Sequence, residues 1–93
     1  MNETLSRSFP LGKVVITPYA RDHLHPEDVS LSIMRHARCD WGDCCKVDAA
    51  ENELSLKEGL QLFSVYHNRN NVRFWIITEA DRSATTVLLP EDF

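Results

Sequence analysis

Eleven consecutive residues, Arg35-His36-Ala37-Arg38-Cys39-Asp40-Trp41-Gly42-Asp43-Cys44-Cys45, hold one His, three Cys, two Asp and one Trp. Imidazole and thiolate are zinc ligands, and His36 and Cys39, three apart, share a face if they end a helix. Cys44 could complete such a set, with Cys45, His23 or His25 as further donors. The spacing is not that of two standard ligand pairs, and adjacent Cys44 and Cys45 do not readily hold one ion. A zinc-stabilised module is therefore an alternative. The plainer expectation is a helix-to-helix loop with a buried Cys, a packed Trp and capping Asp side chains. Cys44 or Cys45 beside His36 would act as nucleophile and base only if folding supplied the geometry. No cofactor is expected.

Two further groups of side chains could act. Asp40, Asp43, Asp48, Glu51 and Glu53 lie within fourteen residues of one another, around Trp41. An exposed aromatic with a charged rim is a common way to build a protein interface, so Trp41 is read as an anchor and the five acids as its rim. The opposite expectation is an indole packed into the domain's own core. On the strand-like segments, His67, Arg73 and Arg82 could form a base and phosphate clamp of the kind small RNases carry on an antiparallel sheet. The same residues also fit an outward strand position and a solvated hairpin turn.

The elements that must position these groups are legible in part. Lys13-Val14-Val15-Ile16 reads as a short strand. Thr17-Pro18 opens a short helix to Leu24, with Thr as cap and Pro first. Pro26-Glu27-Asp28 opens another, with Val29, Ile33, Met34 and Ala37 on one face to about Arg38. Asp48-Ala49-Ala50-Glu51 resembles a capping box, which predicts a helix over 49–58 ended by Gly59. Residues 60–67, 72–79 and 84–89 read as strands joined by an Asn-rich turn and by a polar turn. The expected class is α+β: two to three N-terminal helices packed on a three- to four-stranded antiparallel sheet, with 72–79 central.

Ninety-three residues make one domain, here 9–93 behind a frayed 1–8. A hydrophobic content of 43% with 26% charged residues suits an ordinary globular chain. No apolar run approaches the roughly 20 residues of a membrane span, and residues 1–7 lack the pattern of a secretion signal. Three clustered cysteines make a poor disulfide framework, so a reducing, cytoplasmic setting is expected. Net charge is −4, with −3 of it in residues 41–59. A chain without a basic stripe is not expected to bind nucleic acid directly, and its acids favour a basic partner.

A resemblance adds a setting. His36-Ala37-Arg38, Asp40-Trp41-Gly42-Asp43, Asn52, Leu62-x-Ser64-x-Tyr66 and the run Trp75 to Glu91 resemble a family of short bacterial proteins. Its members occur mostly on plasmids, integrative elements and phage-like DNA, and some carry the label of a type I restriction modification subunit. The similarity covers residues 14–93. The family has a Gly where this chain has Cys39. At this length, with no Gly-rich cofactor loop, the chain has no room for a methyltransferase. What the resemblance implies is a setting, mobile DNA. Small size, the acids at 40–53 and Trp41 in that loop add the expected role: a non-enzymatic interaction protein of such an element, including an anti-defence inhibitor (anti-CRISPR or anti-restriction), whose acidic Trp41 loop docks on a basic host defence or nucleic-acid-handling protein. Apolar strands at 60–66 and 85–89 could leave an edge and invite a homodimer.

Overall fold

A computed structural model describes residues 8–93, so the segment expected to fray lies, apart from Ser8, outside the described residues. The order is β1 (Lys13–Ile16), α1 (Pro18–His23), α2 (Pro26–Ala37), α3 (Lys46–Glu58), β2 (Leu62–His67), β3 (Arg73–Thr78), β4 (Ala84–Leu88) and a 3₁₀ turn at Pro90–Asp92. The α+β class stands. No helix among the described residues is long and apolar enough to cross a membrane.

Helix ends have local causes. Thr17 Oγ1 accepts from Ala20 N at 3.1 Å, with Pro18 first in α1. His25 Nδ1 accepts from Glu27 N, and Glu27 and Asp28 occupy the first turn of α2, where the helix dipole favours negative charge. Helix α2 ends in a Schellman motif: Cys39 N donates to His36 O and Asp40 N to Arg35 O, both at 2.9 Å. Cys39 supplies the left-handed residue, with φ 67°. A glycine would fit there on backbone grounds. Helix α3 starts three residues earlier than the expected Ala49. Its cap is Cys45, which makes no side-chain capping bond, and Asp48 lies inside the first turn. Gly59 ends α3 with φ 74°.

The sheet is mixed, not purely antiparallel, and its order is β1-β4-β3-β2. β2, β3 and β4 form the expected meander with β3 inside, while β1 pairs in parallel with β4, Lys13 opposite Ala84 and Ile16 opposite Val87. The helices therefore lie between β1 and β2 in the chain; they are the crossover that a distant parallel pairing requires.

Alternation gives the sheet two unlike faces. Leu62, Ser64, Tyr66, Phe74, Ile76, Thr78, Thr85 and Val87 face the helices and are buried. Ala20, Leu24 and Val29 pack on this side with Tyr66, Phe74, Ile76, Val87 and Leu89, and a second cluster gathers Phe9, Cys39, Trp41 and Leu62. Phe63, Val65, His67, Arg73, Trp75, Ile77, Thr86 and Leu88 alternate with these and form the other face, which no helix covers.

The outer edge of β2 is closed by side chain and loop. Asn52 Nδ2 donates to Phe63 O at 2.6 Å, and its Oδ1 accepts from Phe63 N at 2.9 Å. Residues 41–43 then run beside Val65, which donates to Trp41 O and accepts from Asp43 N. The expected open edges at 60–66 and 85–89 are thus absent: the first is capped and β4 is internal. The exposed edge strand is β1.

Candidate functional site

A chain of hydrogen bonds crosses the interior between α2 and the sheet. Ser64 Oγ lies 2.5 Å from His36 Nδ1, His36 Nε2 2.8 Å from Thr78 Oγ1, and Thr78 Oγ1 2.7 Å from Thr85 Oγ1. Thr85 Oγ1 donates to Leu11 O at 2.7 Å. A carbonyl only accepts, which orients every bond upstream of it. Thr85 spends its proton on Leu11 O, so Thr78 donates to Thr85. His36 Nε2–H donates to Thr78, and Ser64 donates to Nδ1. The ring is neutral and carries its proton on Nε2. Burial, with Arg82 adding repulsion, pushes its pKa from 6.5 down to about 4.

Ser64 and His36 have the contact of a nucleophile and its base, yet both are 0% exposed. A substrate carbonyl cannot approach them, and both ring nitrogens are engaged. The pair is a structural cross-link between α2, β2, β3 and β4.

Its titration has a measurable sign. Unfolded His36 takes up a proton near pH 6.5, whereas the folded ring resists until about pH 4. Between those values the unfolded state binds more protons, so stability falls as pH falls. The loss between pH 7 and pH 5 is about 2 kcal/mol. Urea unfolding at the two pH values measures it, alongside an NMR titration in which the His36 ring stays neutral above pH 5. Equal stability at both values, with an imidazole signal titrating near 6.5 for His36, contradicts the assignment.

The Trp41 loop is built differently from an exposed anchor. Trp41 is 7% exposed, its Nε1 donates to Glu53 Oε2 at 2.9 Å, and its ring stacks with Phe9 at 6.2 Å. The anchor expectation is corrected: the indole fills the second core cluster and cannot meet a partner. Asp40 accepts from Arg35 at 2.7 Å and from Gly42 N at 3.1 Å, and these contacts hold its carboxyl below the ordinary range. Asp43 pairs with His67 at 2.7 Å. Of the five acids, Asp40, Asp43 and Glu53 therefore serve the fold, while Asp48 and Glu51 stand exposed on α3. The group is partly regathered around Cys44, whose thiol pKa is raised by burial and further by Asp48 and Asp43.

The zinc alternative finds no assembled site. His36 uses both nitrogens, Cys44 Sγ donates to Phe63 O at 3.3 Å, and Cys39 is buried at the end of α2. His25 caps α2, and His23 Nδ1 bonds Tyr19 O. Among the described residues no three metal-ligating side chains converge. The cysteine–histidine pair fails because both His36 nitrogens are engaged, and burial raises the Cys44 thiol pKa, which disfavours its thiolate.

The nuclease trio is divided along the sheet. His67 and Arg73 face each other across β2 and β3. Arg82 lies past the other end of β3, roughly 17 Å away for five strand steps. Its guanidinium donates to the carbonyls of Ser55, Leu60, Glu79 and Ala80. It ties the β3–β4 turn to the end of α3 and is not available to a phosphate.

A cleft of about 390 Å³ between α2 and the β2–β3 turn brings together Asp28, Ser32, Arg35, His67, Asn68 and Arg69. Each arginine there already has an anion: Arg69 holds Asp28 and Glu27 and Arg35 holds Asp40, while His67 Nδ1 hydrogen-bonds Asp43. Arg69 pulls the Asp28 pKa down to about 2. The cleft has no surplus charge to draw an anion.

A surface missed in sequence is the helix-free sheet face. Phe63 and Trp75 meet edge to face at 5.3 Å, and Phe93 lies against Trp75 at 5.6 Å. Phe93 itself is 85% exposed. The run Arg73-Phe74-Trp75-Ile76-Ile77-Thr78 concealed the face, because it is apolar on both sides and its alternation shows only in burial. No family model matches the chain, and neither a curated protein nor a solved structure matches it significantly.

Proposed function

We propose that the chain is a non-enzymatic interaction protein of a mobile genetic element, acting on a basic host defence or nucleic-acid-handling protein. The observation that carries the non-enzymatic part is the sealed polar interior. The one Ser–His contact among the described residues is inaccessible, and the His67, Arg73 and Arg82 set is divided. What favours a basic partner is the exposed pair Asp48 and Glu51 early in α3, in the most acidic stretch of a chain of net charge −4. Charge steering of this kind speeds association and weakens with salt. The mobile-element and anti-defence setting rests on the resemblance over residues 14–93.

Co-purification of the tagged chain with restriction or CRISPR complexes, at low and high salt, tests this. The expected result is a complex at low salt, weakened by roughly tenfold or more when Asp48 and Glu51 become Lys. A complex indifferent to both salt and that reversal overturns the acidic surface. Absence of any complex overturns the defence setting, and RNA hydrolysis by the purified chain overturns the non-enzymatic reading.

A further inference from the structure

We infer that the helix-free sheet face is the interface of a homodimer, two copies packing face to face with their strands reversed. Its centre is apolar and aromatic, from the half-buried Phe63, Trp75 and Ile77 and the buried Leu88, beside an 85% exposed Phe93. A partly exposed aromatic centre of this kind suits a contact surface.

The charges on the same face select the occupant. Arg73 stands at one end of β3 and Glu79 continues the same alternation past the other end, opposite Ala84. Both are exposed, and neither forms an ion pair among the described residues. Lys13 stands on β1 beside Ala84, at the Glu79 end. The opposite end of β1 carries the 3₁₀ turn with Glu91, held there by the Thr17 Oγ1 to Asp92 bond of 2.7 Å.

A two-fold axis in the interface, perpendicular to the strands, exchanges the ends of each strand. It sets Arg73 of one copy over Glu79 of the other, and Lys13 over Glu91, each pair occurring twice. It also sets Trp75 over Ile77 of the second copy, and Phe93 is covered. One face thus carries its own complement, as an isologous contact requires. Two such faces pack about 10 Å apart with aligned strands. Asp48 and Glu51 stand on α3, outside this contact, so the dimer presents the acidic surface twice and gains avidity toward a repeated or extended basic partner. The pairing stands independently of the proposed function.

Sedimentation equilibrium from about 10 µM to about 1 mM tests it. A dimer is expected, with Ile77→Asp monomeric and Arg73→Glu raising the dissociation constant by roughly tenfold or more. The double variant R73E/E79R restores association, because the reversed charges meet again across the axis. Thr86→Arg replaces Ile77→Asp if circular dichroism shows the latter unfolded. A monomer throughout the range overturns the inference, as does a dimer that neither face variant weakens. A dimer broken by Ile77→Asp but unmoved by both charge variants overturns the reversed arrangement.

Discussion

Replacing His36 with Ala is expected to lower the unfolding free energy by about 4 kcal/mol, a large share of what a domain of this size has. Two costs add. Truncation opens a cavity where the ring meets Phe9 edge-on at 5.1 Å and Trp41 at 5.9 Å. It also leaves the Ser64 hydroxyl without its acceptor and Thr78 without its donor, at a site no water reaches freely. His36→Phe separates the two, because it keeps the ring and removes the bonds. Its expected cost is about 2 kcal/mol, the share of the buried hydroxyls alone. Urea unfolding of the three proteins measures this. A loss under about 1 kcal/mol for His36→Ala would mean that the chain from Ser64 to Leu11 is not a stabilising unit. A midpoint lower by roughly 20 °C accompanies the full loss, since 1 kcal/mol moves a domain of this length by several degrees.

That bond chain also explains what sequence could and could not disclose. Local signals were sound where their physics is local: Thr17 with Pro18, Pro26 with its two acids, Gly59, and the strands from 62 to 88. The start of α3 was not legible, because Cys45 caps it without a side-chain bond and Asp48 mimics a cap from inside the first turn. The parallel pairing of β1 was not legible either, since Lys13 and Ala84 meet only after three helices have crossed the sheet. The misread Trp41 has the same origin. An indole between two acids looks presented until Glu53, twelve residues on, takes its N–H. His36 reads in sequence as a candidate ligand, and nothing in the spacing of His36, Ser64, Thr78 and Thr85 announces a single connected line. Several other residues of the motifs singled out in sequence recur in such long-range contacts. Asn52 closes the edge at Phe63, Tyr66 OH donates to Asp40 O, and Arg82 gathers four carbonyls. A motif made of such residues speaks first about folding. The function must then be sought on surfaces the motif does not use, which is why the acids of α3 and the bare sheet face became informative only once contacts were known.

Gly42→Ala is expected to cost about 3 kcal/mol or more, against about 1 kcal/mol for Gly59→Ala. Both glycines have left-handed φ, 72° and 74°, so the intrinsic penalty for a side chain is the same. The surroundings differ. A Cβ on Gly59 meets nothing within 4 Å, whereas one on Gly42 would run into Val65 O and come within 2.7 Å of the Tyr66 ring. Neither obstacle can step aside, because Val65 O accepts from Asp43 N at 2.7 Å and Tyr66 is buried with its hydroxyl on Asp40 O. The loop would have to leave β2, and the bonds at Val65 would open together with the Trp41 seat behind them. Hydrogen exchange at the Val65 and Asp43 amides reads this directly. Protection lost at both in Gly42→Ala but kept in Gly59→Ala assigns the glycine to edge closure. Equal losses of stability in the two variants would assign it to backbone conformation alone, and the 41–43 segment would then be an ordinary loop that happens to lie beside the sheet.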